Sequence, residues 1–235
     1  LGQFEDMVEY LERVITLNPN ISEAHNNFGI ALKELGQYEE SISAYQKALE
    51  IEPNYLEAHN NLGNAFKNNG QLEKAIKSYQ KALLISPDYP TLHNNLGNAF
   101  KEVGEIERAI KYFKKAIEIN PDFPDSHNNL GDALRELNQF DDALESYEKA
   151  INLDPDYFEA FNNLGTAFKD LDRLNDAVSS YEQALKINPE FSDAYNNLGN
   201  VLKKLGKLDE ALESYEMGIA MNPNDVDIHN NLGRL

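Results

Sequence analysis

The chain has no cysteine, so disulfide staples, thiolate metal sites and a cysteine nucleophile are all excluded. Basic residues are scarce as well: 21 Lys and Arg stand against 40 Asp and Glu, for a net charge of −19. Nucleic acids are gripped by clustered Lys and Arg that displace counterions, so neither nucleic acid nor an anionic membrane is an expected partner. Long apolar runs are missing; those present are a few residues long, far short of a bilayer span, and the first residues lack a basic-then-apolar export pattern. Phosphate-loop, dinucleotide-fold and HExxH motifs are absent. The S-x-x-K sequences at Ser78–Lys81 and Ser146–Lys149 have no partner motif. The expectation is a chain without catalysis, cofactor or metal. Lack of cysteine leaves the redox compartment open, with the cytoplasm as the expected location.

What is present is a period. Pro19, Pro53, Pro87, Pro121, Pro155, Pro189 and Pro223 fall 34 residues apart, and glycines from Gly29 to Gly233 keep the same step. A strict period marks a repeat array, whose fold is read one repeat at a time. Placing position 1 seven residues before each glycine gives six full repeats, 22–55, 56–89, 90–123, 124–157, 158–191 and 192–225. Partial repeats at 1–21 and 226–235 complete a single array over 1–235. The 41% hydrophobic content is spread evenly along it, which predicts a thin continuous core rather than one deep centre.

Within a repeat, apolar or aromatic residues recur at positions 4, 7, 10, 11 and 14 and again at 17, 20, 21, 24, 27, 28 and 30, helical spacing in two blocks. Position 15 separates the blocks with Gly36, Gly70, Gly104, Asn138, Asp172 and Gly206, residue types that tolerate a left-handed cap. Each repeat therefore reads as a helical hairpin, helix A followed by helix B, with the periodic proline ending B. Small residues, the position-8 glycines and alanines at positions 20 and 27, permit close approach of the backbones. Tyr45, Tyr79, Phe113, Tyr147, Tyr181 and Tyr215 at position 24 fill the interface.

The segment HNNLGNAFK at 59–67 and 93–101, followed by A-x-x-x-Y and by A-(I/L) before the proline, resembles the tetratricopeptide repeat (TPR), and the resemblance covers the whole chain. It implies an all-α fold, an α-α superhelix (TPR solenoid) of antiparallel helix pairs with the A helices lining the concave surface. Ser41 at position 20, Asn69 at position 14 and Gly218 at position 27 depart from the pattern, which predicts that the last B helix packs least well.

Paired asparagines stand at positions 5 and 6: Asn26 and Asn27, Asn60 and Asn61, Asn94 and Asn95, Asn128 and Asn129, Asn162 and Asn163, Asn196 and Asn197, and Asn230 and Asn231. Each costs a helix interior about 0.5 kcal/mol relative to alanine, so something must offset them. In TPR geometry position 5 faces the groove and position 6 its inner edge. One reading makes the pair scaffold, bonding to the neighbouring repeat or to local backbone. The other makes it a ligand ladder, because an amide matches both the C=O and the N–H of a peptide unit. The double asparagine resembles the TPR arm of O-GlcNAc transferases, whose ladder holds extended protein substrates. That match implies a ladder of Asn27, Asn61, Asn95, Asn129, Asn163 and Asn197, widened by Asn64, Asn98 and Asn200 at position 9.

Position 12 carries Lys33, Lys67, Lys101, Arg135, Lys169 and Lys203, and position 2 is mostly acidic. Dipole complementarity accounts for this pattern; a sharper reading makes Lys67, Lys101, Arg135 and Lys169 part of the peptide-binding surface. The chaperone-tail clamp seen in other TPR proteins is disfavoured, since it needs Lys or Arg at positions 2, 5 and 6. All five histidines occupy position 4, where Phe161 and Tyr195 stand in other repeats, which marks a packing site and not a metal site. The expected function is a protein-interaction module that takes an extended peptide or protein segment along an asparagine-lined groove. Two alternatives stay open: the substrate-recruiting arm of a glycosyltransferase, and a self-associating scaffold. For the latter, Phe4, Val8, Leu11 and Ile15 at one end and Ile228, Leu232 and Leu235 at the other are expected to offer apolar faces for head-to-tail stacking.

Overall fold

The computed structural model describes residues 2–235, and the described residues are helical without strands. The A helices are α2 (Ser22–Glu34), α4 (Leu56–Asn68), α6 (Pro90–Glu102), α8 (Pro124–Glu136), α10 (Phe158–Asp170), α12 (Ser192–Lys204) and α14 (Val226–Leu232). All seven begin at the residue numbered position 1. The B helices are α1 (Gly2–Leu17), α3 (Tyr38–Ile51), α5 (Leu72–Ile85), α7 (Ile106–Ile119), α9 (Phe140–Leu153), α11 (Leu174–Ile187) and α13 (Leu208–Met221).

Position 15 stops each A helix as its chemistry requires. Gly36 has φ 75°, and Asn138 and Asp172 take φ 57° and 59°. The amide of Gly36 bonds the Lys33 carbonyl and that of Gln37 the Leu32 carbonyl, both at 2.9 Å, a Schellman closure that satisfies the last carbonyls of the helix. The chain then reverses directly into helix B.

Two compact units divide the chain, Leu1–Pro121 and Asp122–Leu235. Inside each unit the A helices of the full repeats pack on their own B helices, and α2, α4, α6, α10, α12 and α14 also pack on the B helix before them. Consecutive A helices also touch, α2 with α4 and α4 with α6 in the first unit, and α8 with α10, α10 with α12 and α12 with α14 in the second, whereas consecutive B helices do not. The A helices thus form the inner side of each unit, which is where positions 5, 6, 9 and 12 are carried.

The contact that brings A and B together is a ring on a bare α-carbon. A Cβ added to Gly29, Gly97 or Gly131 would lie 2.7, 2.6 or 2.6 Å from the ring of Tyr45, Phe113 or Tyr147, distances that atoms do not share. The rings are fully buried, so they cannot swing aside. Where Ser41 replaces the usual alanine at position 20, its hydroxyl donates to the Gly29 carbonyl at 2.7 Å, so the polar substitution is satisfied internally. Position 4 supplies a second fastening. Nε2 of His25, His59, His93 and His229 lies 2.9, 2.9, 2.7 and 3.0 Å from the carbonyl of Pro19, Pro53, Pro87 and Pro223. A carbonyl only accepts, so Nε2 carries the proton and ties each A helix to the end of the preceding B helix.

At the ends, the expected apolar faces are covered at Leu11 and Ile228 and remain partly open elsewhere. Ile228 is 0% exposed and Leu11 7%, because α14 packs on α12 and α13 and α1 packs on α2. Phe4, Val8, Ile15, Leu232 and Leu235 are half-buried. Gly218 stands where other repeats have alanine because Ile228 fills its space, with Cδ1 2.9 Å from where a Cβ would be. Helix α13 nonetheless leaves Leu208, Leu212, Met217 and Met221 exposed, in keeping with the weaker packing expected there.

Gly131→Ala should therefore destabilise the protein. Overpacking against Tyr147 costs about 1–3 kcal/mol, more than offsetting the gain in helix propensity of about 1 kcal/mol. Urea unfolding should show a lowered midpoint; a midpoint at or above wild type would remove the ring contact as a constraint.

Candidate functional site

The asparagine pairs sit on the inner helices, and their two members behave differently. At position 5, Asn26, Asn94, Asn128 and Asn162 are buried and Asn60 and Asn196 half-buried. At position 6, Asn27, Asn61, Asn95, Asn129, Asn163 and Asn197 are all half-buried. The later repeat donates to the earlier one. Nδ2 of Asn61 reaches Oδ1 of Asn26 at 3.1 Å and Nδ2 of Asn95 that of Asn60 at 3.0 Å. In the second unit Asn163 donates to Asn128 at 3.1 Å, Asn197 to Asn162 at 3.0 Å and Asn231 to Asn196 at 2.8 Å. Nδ2 of Asn26 and of Asn162 points in turn at Oδ1 of the adjacent Asn27 and Asn163, at 3.5 Å.

One N–H of each of these position-6 amides is thus a cross-link between repeats, as the scaffold reading requires. An amide has two N–H groups and two carbonyl lone pairs. Position 6 keeps one donor and acceptor capacity for something else, in a rotamer fixed by the cross-link.

Position 9 is governed by the ring at position 24. Asn64 accepts from the Tyr79 hydroxyl at 2.7 Å and Asn200 from that of Tyr215 at 3.0 Å. Asp132 accepts from Tyr147 at 2.8 Å, and the Thr166 and Tyr181 hydroxyls lie 3.1 Å apart. Asn98 has no such partner, because its repeat carries Phe113. The converse mismatch occurs in the first full repeat, where Ile30 occupies position 9 and the buried Tyr45 hydroxyl makes no hydrogen bond of normal geometry. Ser41 lies close enough to act on it but spends its own proton on Gly29. Burial pushes the Tyr45 and Tyr181 hydroxyls up to about 12. It raises Tyr79 and Tyr147 too, with added push from Glu102 and Asp132 respectively. All four stay protonated near neutrality and serve as donors.

The position-12 cations form their own register. Lys67 pairs with Glu102 at 3.5 Å and Arg135 with Asp170 at 3.1 Å, each reaching 35 residues ahead into the next repeat. Lys33, whose counterpart acid is replaced by Asn68, turns to Glu34 at 2.8 Å. Lys169 meets the same register at Lys204, which instead pairs with Asp172 at 2.6 Å; the Lys169 ammonium pairs with none of the described residues. Lys101 is half-buried in α6. The position-2 acids Glu23, Glu57, Asp125, Glu159, Asp193 and Asp227 are exposed in the first turns of their helices.

The cross-repeat bonds and the ring-to-position-9 bonds were not readable from residue types alone. A signal existed in the spacing: His and Pro recur six apart, and cation and acid 35 apart. Among the described residues, no group of three or more His, Asp or Glu could hold a metal ion, and no helix is long and apolar enough to cross a membrane.

The hydroxyl mismatch is testable. Tyr79→Phe should cost about 1 kcal/mol, the usual worth of a hydrogen bond with an acceptor left behind. Tyr45→Phe removes a buried, unpaired hydroxyl and should be neutral or stabilising. Thermal denaturation of the two variants separates them, and an equal loss in both would contradict the bonding pattern.

Comparison with known proteins agrees with the geometry. A profile described as TPR repeat matches residues 29–70, 63–104, 97–134, 131–172 and 166–206, and profiles described as tetratricopeptide repeat match 192–225 and 10–43. Among solved structures, the APC/C hetero-tetramer Cut9–Hcn1 aligns with a TM-score of 0.82 at 18% identity, over 99% of this chain and 46% of that one. This chain therefore spans about half the length of that relative. MamA aligns at 0.62 and 27% identity, over 70% of this chain and 96% of its own. YrrB, described as a TPR protein with an unusual peptide-binding site, aligns at 0.60 and 23%, over 80% and 96%. No curated protein is matched. With its paired helices, its period and these matches, the chain belongs to the tetratricopeptide repeat family, an all-α family of protein-interaction modules.

Proposed function

We propose that this chain binds an extended segment of another protein along the inner, A-helix side, gripping its backbone with the position-6 asparagines and performing no chemistry on it. The observation that carries this reading is the fixed amide. In each unit the position-6 side chain is held by its bond to the preceding repeat and stays half-exposed. A donor and an acceptor fixed in advance lose little freedom on binding. Neighbouring A helices stand roughly 10 Å apart by helix diameter, and an extended peptide rises about 3.3 Å per residue, so one asparagine would serve every third residue.

The cations add a preference rather than a grip. Lys67 and Arg135 are already paired and exposed pairs of this kind contribute little, about 0–1 kcal/mol. Lys169, without such a pair, would favour a carboxylate on the bound segment.

The test is a triple variant, Asn95→Ala with Asn129→Ala and Asn163→Ala, compared with wild type against peptides selected on the wild-type protein from an unbiased library. Affinity should fall about tenfold or more, equivalent to about 1.4 kcal/mol, with the helical circular dichroism retained. Some stability should go too. Removing Asn95 and Asn163 strands the Asn60 and Asn128 carbonyls, at about 1 kcal/mol each, against about 0.5 kcal/mol per site of helix propensity gained. Peptides that bind a folded triple variant as tightly as wild type would refute the ladder.

A further inference from the structure

On the B-helix side of the first unit, a cavity of about 480 Å³ opens between α3, α4 and α5. His59 and Phe66 of α4 and Ser78 of α5 line it, with Lys74, Lys77 and Lys81 along the α5 wall. One repeat on, the corresponding place is occupied. A shift of 34 residues turns His59, Phe66 and Ser78 into His93, Phe100 and Tyr112, and the Tyr112 ring stacks on both partners. Its centroid lies 6.0 Å from that of His93 and 5.3 Å from that of Phe100, with interplanar angles of 27° and 15°. Arg108 covers Phe100 at 3.8 Å, and its counterpart Lys74 stands 5.4 Å over Phe66. The repeat at 56–89 thus has the His–Phe seat without the ring: Ser78 stands there as serine does in three other repeats, and Tyr112 is the departure that shows what the seat accepts.

The occupied seat takes a flat ring without supplying a hydrogen-bond donor to the histidine. Nδ1 of His59 is buried without a partner, and Nδ1 of His93 is equally unpartnered with Tyr112 stacked on its ring. Around the recess the surface is cationic. Lys77 and Lys81 make no ion pair or hydrogen bond with another described residue, while Glu50, also at the rim, is already paired with Lys47 at 2.6 Å. Helices α5 and α7 carry seven of the chain's 21 Lys and Arg, and α13 carries none. Past Pro53, His59 and Lys81 a second cavity of about 510 Å³ continues to Leu84, which is 84% exposed.

We propose that this recess binds an aromatic side chain, tyrosine or phenylalanine, of a partner polypeptide in which Asp or Glu flank the aromatic residue. The ring takes the place that Tyr112 takes in the next repeat, and the flanking carboxylates meet Lys77 and Lys81. The site opens toward the B helices, sharing only α4 with the asparagine row on the inner side, and stands independently of the reading given above.

The probe is the peptide acetyl-Asp-Glu-Tyr-Glu-Asp-amide, with alanine replacing tyrosine as control, titrated into the full chain and followed by amide chemical shifts. The tyrosine peptide should bind saturably with shifts centred on α4 and α5, and the alanine peptide about tenfold more weakly or worse. Ser78→Tyr supplies the missing ring from within the chain. It should weaken binding at least about tenfold while leaving the melting temperature equal or higher. Lys77→Glu with Lys81→Glu should weaken binding, and added salt should do the same to wild type. Equal binding of the two peptides, unchanged binding to Ser78→Tyr, or no saturable binding up to about 10 mM overturns the proposal. If Ser78→Tyr does not fold, Tyr112→Ser decides: emptying the seat at 90–123 should create a second site, and a stoichiometry that stays at one overturns the proposal.

Discussion

An aromatic ring lying against an α-carbon without a side chain sets the distance between the two helices of every full repeat. The glycine costs the A helix about 1 kcal/mol relative to alanine, and burying the ring contributes about 1.5–3 kcal/mol. The arrangement survives because the second exceeds the first. Once the ring is pinned, its hydroxyl emerges beside the residue after the glycine, which is why position 9 carries Asn64, Asp132, Thr166 and Asn200 in the repeats that bear Tyr79, Tyr147, Tyr181 and Tyr215. The identity of position 9 is thus subordinate to a packing contact, although it lies on the inner helices. There are two exceptions: Asn98 is left uncommitted because Phe113 offers nothing to accept, and Ile30 leaves the Tyr45 hydroxyl without an acceptor.

The asparagines answer a different demand. A stack of hairpins joined only by apolar contacts could slide in register, since the same small side chains recur in each layer. A directional hydrogen bond from position 6 of one repeat to position 5 of the one before has only one register in which it forms. The His59 and His93 bonds to proline carbonyls and the Lys67–Glu102 and Arg135–Asp170 pairs fix the same register at other heights. The helix-propensity penalty of two asparagines per repeat is therefore offset in part by specificity of stacking, and the ligand role proposed for position 6 uses what the stacking bond leaves over.

Local chemistry made most of the fold legible from residue order. The period gave the helix starts at Ser22, Leu56, Pro90, Pro124, Phe158 and Ser192, and position 15 gave the caps, because glycine, Asn138 and Asp172 act within a turn of where they stand. His25, His59, His93 and His127 are buried as a packing position expects and His229 is exposed, but the bond from position 4 to the proline carbonyl needed the loop geometry. Cross-repeat partners were opaque for a related reason: the bonds step by 35 and not by 34, a diagonal that appears only when neighbouring A helices are laid side by side. The ends misled most. Ile228 was read as a bare apolar residue, yet it is enclosed, because a run of seven helical residues suffices to fold over α13 when Gly218 makes room.

The amide bonds between repeats all run in one sense, from the later repeat to the earlier, in both units. A row of side chains oriented alike is vectorial, much as a helix is. Its unused N–H groups and carbonyl oxygens therefore repeat with the same handedness at every step and are not interchanged by reversing the direction of travel. A polypeptide backbone is itself vectorial, so its two orientations along such a row are inequivalent. On the proposed reading, the array distinguishes the N-to-C direction of a chain before it distinguishes any of its side chains.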